Sequence, residues 1–568
     1  MKKSILAGIL LAVATLVFAL AVAAQVHAKA IPADDNIPHS SEHVSNEWLS
    51  NCIAWYDKNK DGILSPEEAA AVTELSVNPS DAQDRYYGEW LGDEIDLTIF
   101  QNLERVDLNL DSSKAPAGDS TIRIKVSGLA HLKSFHVENH AERGEQCDGS
   151  ADARIETIDF RGTTALEDVD VRDAVSVIFD IGHRIKRIYL NDVAQIPVAQ
   201  ITGGENLERL EVWTDDPDFT RIYVAGNGTL SELKLKSDHL ASVELAGADA
   251  LRTVEIASNA LERIDVSQNP ALTRLSLKCP KITGINVSAN RKLERLDLEC
   301  PKLAKLNVAE NLALKSLSVE SDRLAALNLT KNTKLQGLYI KSGKISSLNL
   351  KKNTKLSDLS VHCGRLASLD LSKQKLLIQL IVSDNKKLSK LDLSKNTQIS
   401  RLYVQNTALK SLDVSKLGRL KWLEVTGNKK LTKLDLTKHK RLNIVDVSDN
   451  ALKTLNLRPK AKIYSLICSN NQLTSLDVSG KEYLEILNCS NNRLTSLNIS
   501  GKTYLRLLDC SKNKLKKLDL SKAEYLETLD CSKNKLKKLD LSKAQDLIEL
   551  TCDKKVKVKG YKGKITRV

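Results

Sequence analysis

The sequence predicts a solenoid of short parallel strands, and three observations carry that reading. Residues 508–523 and 529–544 both read LDCSKNKLKKLDLSKA, so the chain repeats with a period of 529 − 508 = 21. The same register runs back through Cys489 and Cys468, forward to Cys552 and, with small slips, as far back as Val212. Within each period polar and apolar residues alternate over two short runs, as in Leu508-Asp509-Cys510 and Leu518-Asp519-Leu520. Alternation of period two marks a strand with one buried face. A unit this short cannot bury that face alone, so successive coils must stack.

In one coil Leu515 and Leu526 supply the remaining apolar positions, and Asn513 stands at the first corner. An amide buried there can satisfy corner backbone groups that no ladder partner reaches. Asn259, Asn385, Asn428, Asn450, Asn471, Asn492 and Asn534 share its offset. Seventeen first-strand centres fall between Val212 and Cys552, which at about 4.8 Å per coil makes a rod of about 80 Å. The pattern LxCxxNxLxxLDLSxxxxLxx, regular over 211–554, resembles the 21-residue class of bacterial leucine-rich repeats. That resemblance implies a mainly β leucine-rich-repeat solenoid with two short parallel strands per coil. It also implies a binding role more often than an enzymatic one.

Ahead of the repeats, residues 1–28 carry Lys2 and Lys3, an apolar run from Ile5 to Ala24, and the small-residue close Val26-His27-Ala28. This reads as a secretory signal, with cleavage after Ala30 fitting nearly as well. A linker (29–44) then leads to the sharpest chemical motif of the chain. The segment DKNKDGILSPEE, 57–68, has the spacing of a twelve-residue EF-hand calcium loop. Asp57, Asn59 and Asp61 stand at loop positions 1, 3 and 5, with Gly62 at the turn. Ile63 offers its carbonyl at position 7, Ser65 a hydroxyl or bridged water at 9, and Glu68 a bidentate carboxylate at 12. Hard oxygen donors at these spacings suit Ca2+ better than magnesium. Ser65, Pro66 and Glu68 also read as N-cap, N1 and N3 of an exit helix. Trp48, Leu49, Cys52, Ile53 and Tyr56 form one face of an entering helix. A cap over 45–78 would cover the open end of the solenoid. This arrangement is similar to the internalin architecture, an EF-hand-like helical cap fused to leucine-rich repeats.

Residues 79–210 keep the strand cadence in LERVDLNL (103–110), LKSFHV (132–137), LEDVDV (166–171) and IKRIYL (185–190), but their spacing wanders. Polar insertions interrupt the cadence at 111–119, 138–153 and 214–218. They read equally as working loops and as degenerate repeats. Charge is unevenly spread in a chain of net +12: residues 29–100 hold 4 basic and 15 acidic residues, net −11, whereas 501–568 are net +10. The basic tail, 555–568, could lie loosely on an anionic cell-wall polymer. The same lysines could instead keep a repetitive surface soluble. Export and an aromatic content of 4% argue against nucleic acid.

Cys468, Cys489, Cys510, Cys531 and Cys552 recur at one inward position, where parallel side chains suit a disulfide poorly. They are expected as reduced, buried thiols. Cys279–Cys300 and Cys52–Cys147 remain open as bridges. Tyr483, Tyr504 and Tyr525 form a further ladder, a structural stack or a sugar platform. The outward series from Asp265 to Asp540 reads as hydrogen bonding and solvation along the sheet. His131, His136 and His140 lie close in sequence, but a strand splays them. No GxSxG, HExxH or phosphate-cradling loop is present. The sequence thus supports a secreted, monomeric, calcium-binding recognition scaffold for an extracellular protein, a glycan or an anionic wall polymer, without catalysis. A structural surface component is the alternative, and an enzyme ranks third.

Overall fold

A computed structural model describes residues 56–60, 64–77, 94–110, 121–139, 154–180, 184–196, 198, 202, 204–224 and 226–568. The signal segment, Asp61 to Ile63, Cys52, Cys147, most of the entering helix and most of the 111–153 insertions lie outside these residues. The chain forms a leucine-rich-repeat solenoid. Its main sheet has 23 strands, all parallel, each paired with the corresponding strand of the next coil. Seventeen of them, from Arg209–Trp213 to Glu549–Cys552, match the centres expected from the repeat, which fall inside the strand in twelve coils and one residue past it in five, from Val447 to Cys531. Five more precede them, starting at Glu74–Val77, and Ile565–Arg567 closes the row. At about 4.8 Å per coil the stack is about 105 Å long.

The period-two pattern places each strand in the same way. Arg274–Lys278 pairs in register with Arg295–Glu299, so Leu275 meets Leu296 and Leu277 meets Leu298, all four buried. Outward residues of neighbouring coils therefore stack in columns. The second run of the coil pairs only locally, in a four-stranded sheet near the N-terminus and in pairs such as Lys433–Leu436 with Thr454–Leu457. One apolar cluster runs from Leu64 to Val556.

Corners decide how coils stack, because a tight turn leaves amides and carbonyls without a ladder partner. At the first corner Asn492 is buried. Its Nδ2 donates to the carbonyls of Cys468 (2.9 Å), Cys489 (3.1 Å) and Ser490 (3.2 Å), and its Oδ1 accepts from Leu473 N (3.0 Å). Asn471 and Asn513 repeat the arrangement, and Asn385, Asn428, Asn450 and Asn534 likewise reach the coil before. Asn259 does not: it is exposed, and buried Ser258, one residue earlier, donates to Leu240 O at 2.6 Å. Ser321 and Ser342 do the same. Cys279 and Cys300 share this position, and each thiol donates weakly to a carbonyl 23 residues back, at 3.7 Å. They are free thiols with no bridge between them.

A second ladder had no sequence reading. Asn269, Asn290, Asn311, Asn332, Asn353, Gln374 and Asn396 are fully buried at the other corner. Asn311 Nδ2, for example, donates to Val287 O (2.8 Å) and Asn290 O (2.9 Å). The outward series from Asp265 to Asp540 makes local turns: Asp265 accepts from Ser267 N, Asp413 from Ser415 N and Asp540 from Ser542 N, at 2.8–3.0 Å.

Both ends are finished by packing. Leu64, Ala69 and Val72 join the core cluster, and Tyr56 meets Phe100 edge-on at 6.4 Å. At the other end, the segment expected as a free basic tail forms two strands. Lys557–Lys559 pairs with Lys538–Asp540, Ile565–Arg567 pairs with Glu549–Cys552, and Val556 is buried. The alternation of Val556 and Val558 outweighs the surrounding lysines. The 214–218 insertion is likewise packed, with Thr214 and Asp216 buried and Thr214 Oγ1 donating to Val193 O at 2.7 Å.

Asn492→Ala should lower stability against urea by about 2–4 kcal/mol, because several corner groups are left buried without partners. An unchanged urea midpoint would show that the ladder fills space without holding coils together.

Candidate functional site

Two regions carry chemistry beyond the needs of the fold: the loop before the first coil, and the outward face of the main sheet. In the loop, Asp57 is buried and its Oδ1 accepts from Lys60 N at 2.8 Å. Lys60 itself is left-handed, at φ 59°, which turns the chain back on itself. The helix Pro66–Ala70 starts with a full capping box between Ser65 and Glu68. Glu68 Oε2 accepts from Ser65 N (3.0 Å) and Oγ (2.8 Å), while Oε1 accepts from Lys58 N (2.9 Å) and Asn59 N (3.2 Å). These bonds, that from the Ser65 amide first, hold its carboxyl below the usual range. The carboxylate at loop position 12 thus lies over the backbone amides of positions 2 and 3. Asp57, Asn59, Ser65 and Glu68 all carry side-chain oxygens, the donor chemistry that a hard cation takes. Asp61 and Ile63 lie outside the described residues.

On the sheet face the first coils compensate their own charge. Arg172 pairs with Glu138 (2.8 Å) and Asp170 (3.1 Å), Arg209 with Glu232 (2.7 Å), and Arg187 with Asp168. His136, which sequence left among splayed histidines, sits between Asp170 (Nδ1 to Oδ2, 3.0 Å) and Asp107 (Nε2 to Oδ1, 3.9 Å). The bond to Asp170 outweighs burial and raises the imidazole above 6.5. Burial pushes Asp170 up, but hydrogen bonds from His136 and Arg172 bring it below its ordinary value. The Arg172 guanidinium also lies 5.1 Å from the Tyr189 ring centre, and Tyr189 meets Trp213 edge-on at 5.7 Å. Compensation of this kind ends with Lys341, paired to Glu320.

Beyond it, no ion pair falls on the outward positions of the main sheet among the described residues. Aromatic and half-buried polar groups take their place. Tyr339 packs against His362 at 5.3 Å, and Tyr403 against Trp422 at 6.2 Å. His362 is held between two hydroxyls, Ser360 Oγ at 2.8 Å from Nε2 and Ser383 Oγ on Nδ1, and burial lowers its pKa. Glu424 and Asp446 are register partners on adjacent strands. Burial pushes both carboxyls up, and in Glu424 the neighbouring Asp446 adds to it. Asp509 and Asp530 continue the column. Sequence reasoning missed this patch because it is spread over coils about 21 residues apart. The usable signal was the replacement of small and charged residues by Tyr, Ile and Trp at the middle and first outward positions between Tyr339 and Ile444.

The remaining sequence candidates are structural or peripheral. The five laddered cysteines are buried free thiols, and burial pushes Cys531 up to about 12. Tyr483 and Tyr504 stack with rings 3° from parallel and centres 6.5 Å apart, both about half exposed.

No family model matches the chain, and no curated protein matches it. Solved structures do. YopM from Yersinia enterocolitica is 17% identical, with a TM-score of 0.50 over 92% of this chain and 97% of that one. The functional domain of InlJ from Listeria monocytogenes, described as including a cysteine ladder, is 22% identical (TM-score 0.44; 65% and 70% covered). A leucine-rich-repeat protein of Leptospira interrogans is 19% identical (TM-score 0.43; 56% and 91% covered). At these identities the likeness is one of fold. No helix among the described residues is long and apolar enough to cross a membrane.

A folded pKa raised above 6.5 means that His136 contributes stability fully below pH 6.5, lost as pH rises through the folded value. The stability gap between the protein and His136→Gln should therefore be widest near pH 6 and shrink towards pH 8. A gap independent of pH would remove the charged imidazole from the network.

Proposed function

We propose that this chain is an exported recognition scaffold that binds an extracellular protein through the outward face of its main sheet between Tyr339 and Asp446, without catalysis. The observation that carries this reading is the exchange of compensated ion pairs for aromatic and half-buried polar side chains beyond Lys341. Tyr339 and Tyr403 stand in the middle outward column, where most other coils use Ser, Asp or Glu and the core does not call for an aromatic ring. Rigid aromatic groups flanked by adaptable hydroxyls are what a protein-binding surface uses for its anchors. Within the proposed surface Asp358, Glu424 and Asp446 face outward against Arg401, so the partner should present a basic or neutral patch.

Calcium belongs to the same reading as a device of the cap. Asp57, Asn59, Asp61, Ser65 and Glu68 would give side-chain oxygens and Ile63 its carbonyl, tying the loop to the exit helix. Glu68, ionised at neutral pH, already closes the loop through backbone amides. A cation would replace those bonds with a stronger common centre. The signal-like segment 1–28 supports export, which places the site where calcium is abundant.

Two measurements test this. The double variant Tyr403→Ala/Trp422→Ala should lose, by tenfold or more, the protein ligand that the unaltered chain (29–568) retains from extracellular fractions. Equal retention by both would move the binding surface elsewhere, and self-association alone would favour a structural component. Calcium at millimolar concentration should raise the melting temperature of the chain but not that of Glu68→Ala. An equal rise in both, or none in either, would remove calcium from the cap.

A further inference from the structure

A second surface lies on the flank of the solenoid, just before the main strands. A groove of about 810 Å³ crosses the coils between Gln336 and Arg419. Lys355, Lys375, Lys395 and Arg419 line it together with Leu376 and Ile378, which are 54% and 46% accessible. None of these four cations has an ion pair among the described residues.

The groove belongs to a longer strip. Register pairing of the strands from Gly337–Ser342 to Ser465–Ile467 puts the residues three before each strand in one column. That column includes Lys334, Lys355, Leu376, Arg419, Arg441 and Lys462. Taking the residues one, three and four before each strand over seven coils, 333–464, gives 21 positions with eight Lys or Arg and no Asp or Glu. On either side the charges are compensated again, by Lys315–Glu294 (2.7 Å) and Arg506–Glu527 (2.5 Å). At its C-terminal end the column passes into the tyrosine ladder, where the Lys462 ammonium lies 5.3 Å from the Tyr483 ring centre.

We infer that this strip binds a linear anionic glycan, laid along the solenoid with its acidic groups against the cation column and its sugar rings over Leu376, Ile378 and the tyrosines. A straight column with cations in five of seven coils, each coil about 4.8 Å from the next, suits a stiff polymer with regularly spaced charge. Uncompensated cations attract such a chain over a distance set by salt. Flat apolar patches between them match the C–H faces of pyranose rings. A single-stranded nucleic acid would share the charge and could stack bases on the tyrosines, but the groove between Gln336 and Arg419 is lined by Leu376 and Ile378 and by no aromatic side chain. The strip lies beside the sheet face rather than on it, so this site stands independently of the protein-binding reading.

The test is equilibrium binding of the purified protein to polygalacturonate and to a phosphomannan, which separate carboxylate from phosphate recognition on a pyranose backbone. Fully methyl-esterified pectin serves as the neutral analogue and poly(A) as the nucleic-acid analogue. At least one of the two acidic polymers should bind saturably, with the neutral analogue at least tenfold weaker. Lys355→Glu/Lys375→Glu/Arg419→Glu should weaken that binding tenfold or more. Lys516→Glu/Lys517→Glu/Lys537→Glu, the same charge change on later coils, should stay within twofold. Leu376→Ser/Ile378→Ser, which keeps every charge, should cost about threefold. Tyr403→Ala/Trp422→Ala should leave polymer binding unchanged. Equal loss in the two charge variants would reduce the effect to net charge and overturn the site. So would failure of both acidic polymers to bind, or poly(A) binding as tightly as the better of them.

Discussion

The structure depends on how each coil satisfies the corners of the coil before it. A strand finds its hydrogen-bond partners by stacking, but a tight turn does not, and a turn repeated this often would bury many orphan amides and carbonyls. The chain solves this with side chains that reach back one coil: Ser or Cys at the first corner of the earlier repeats, Asn at the same corner later, and a separate Asn column at the second corner. Since each such bond spans two coils, it also fixes their register. Stacked columns on the outside follow from that register.

Columns turn a local residue choice into a continuous surface. On the main face, charges of opposite sign meet across strands as far as Lys341, so that half presents little net field. Past that point carboxylates outnumber cations on the face, where Arg401 stands among them, while cations collect without carboxylates on the flank beside it. In a protein of net +12 this separation is not a matter of overall charge. Both surfaces lie in the same stretch of coils, with the main-strand edge between them. A ligand bound to one would therefore be held close to a ligand bound to the other.

Much of the fold was legible because packing constrains it tightly. Inward positions tolerate Leu, Val, Ile or Cys and little else, so the repeat, the seventeen strand centres and the fate of the cysteine ladder could be read from spacing. Reading failed where one residue type serves two geometries. Asn259 has the offset of a corner Asn, yet Ser258 performs the task because a serine corner turns one residue earlier. The second Asn column escaped notice since its members stand three residues past the second run, among polar turn residues, and look like surface residues. Lysines between Lys554 and Lys564 suggested a solvated tail, although two alternating valines were enough to add a final coil.

The binding surfaces were illegible for a different reason. A site on a solenoid is built from residues about 21 positions apart, none of which departs from what its own coil allows. Tyr403 or Lys355 taken singly is an ordinary outward residue. Only the register makes them neighbours of Trp422 and Leu376. The informative comparison is thus down a column, between equivalent positions of successive coils, rather than along the chain. Inward columns change little because the core must close, and any abrupt change there would cost stability. Outward columns are free to drift, so a run of coils in which several adjacent columns change together marks a constraint from outside the fold. The coils between Lys334 and Tyr464 meet that condition on two faces at once.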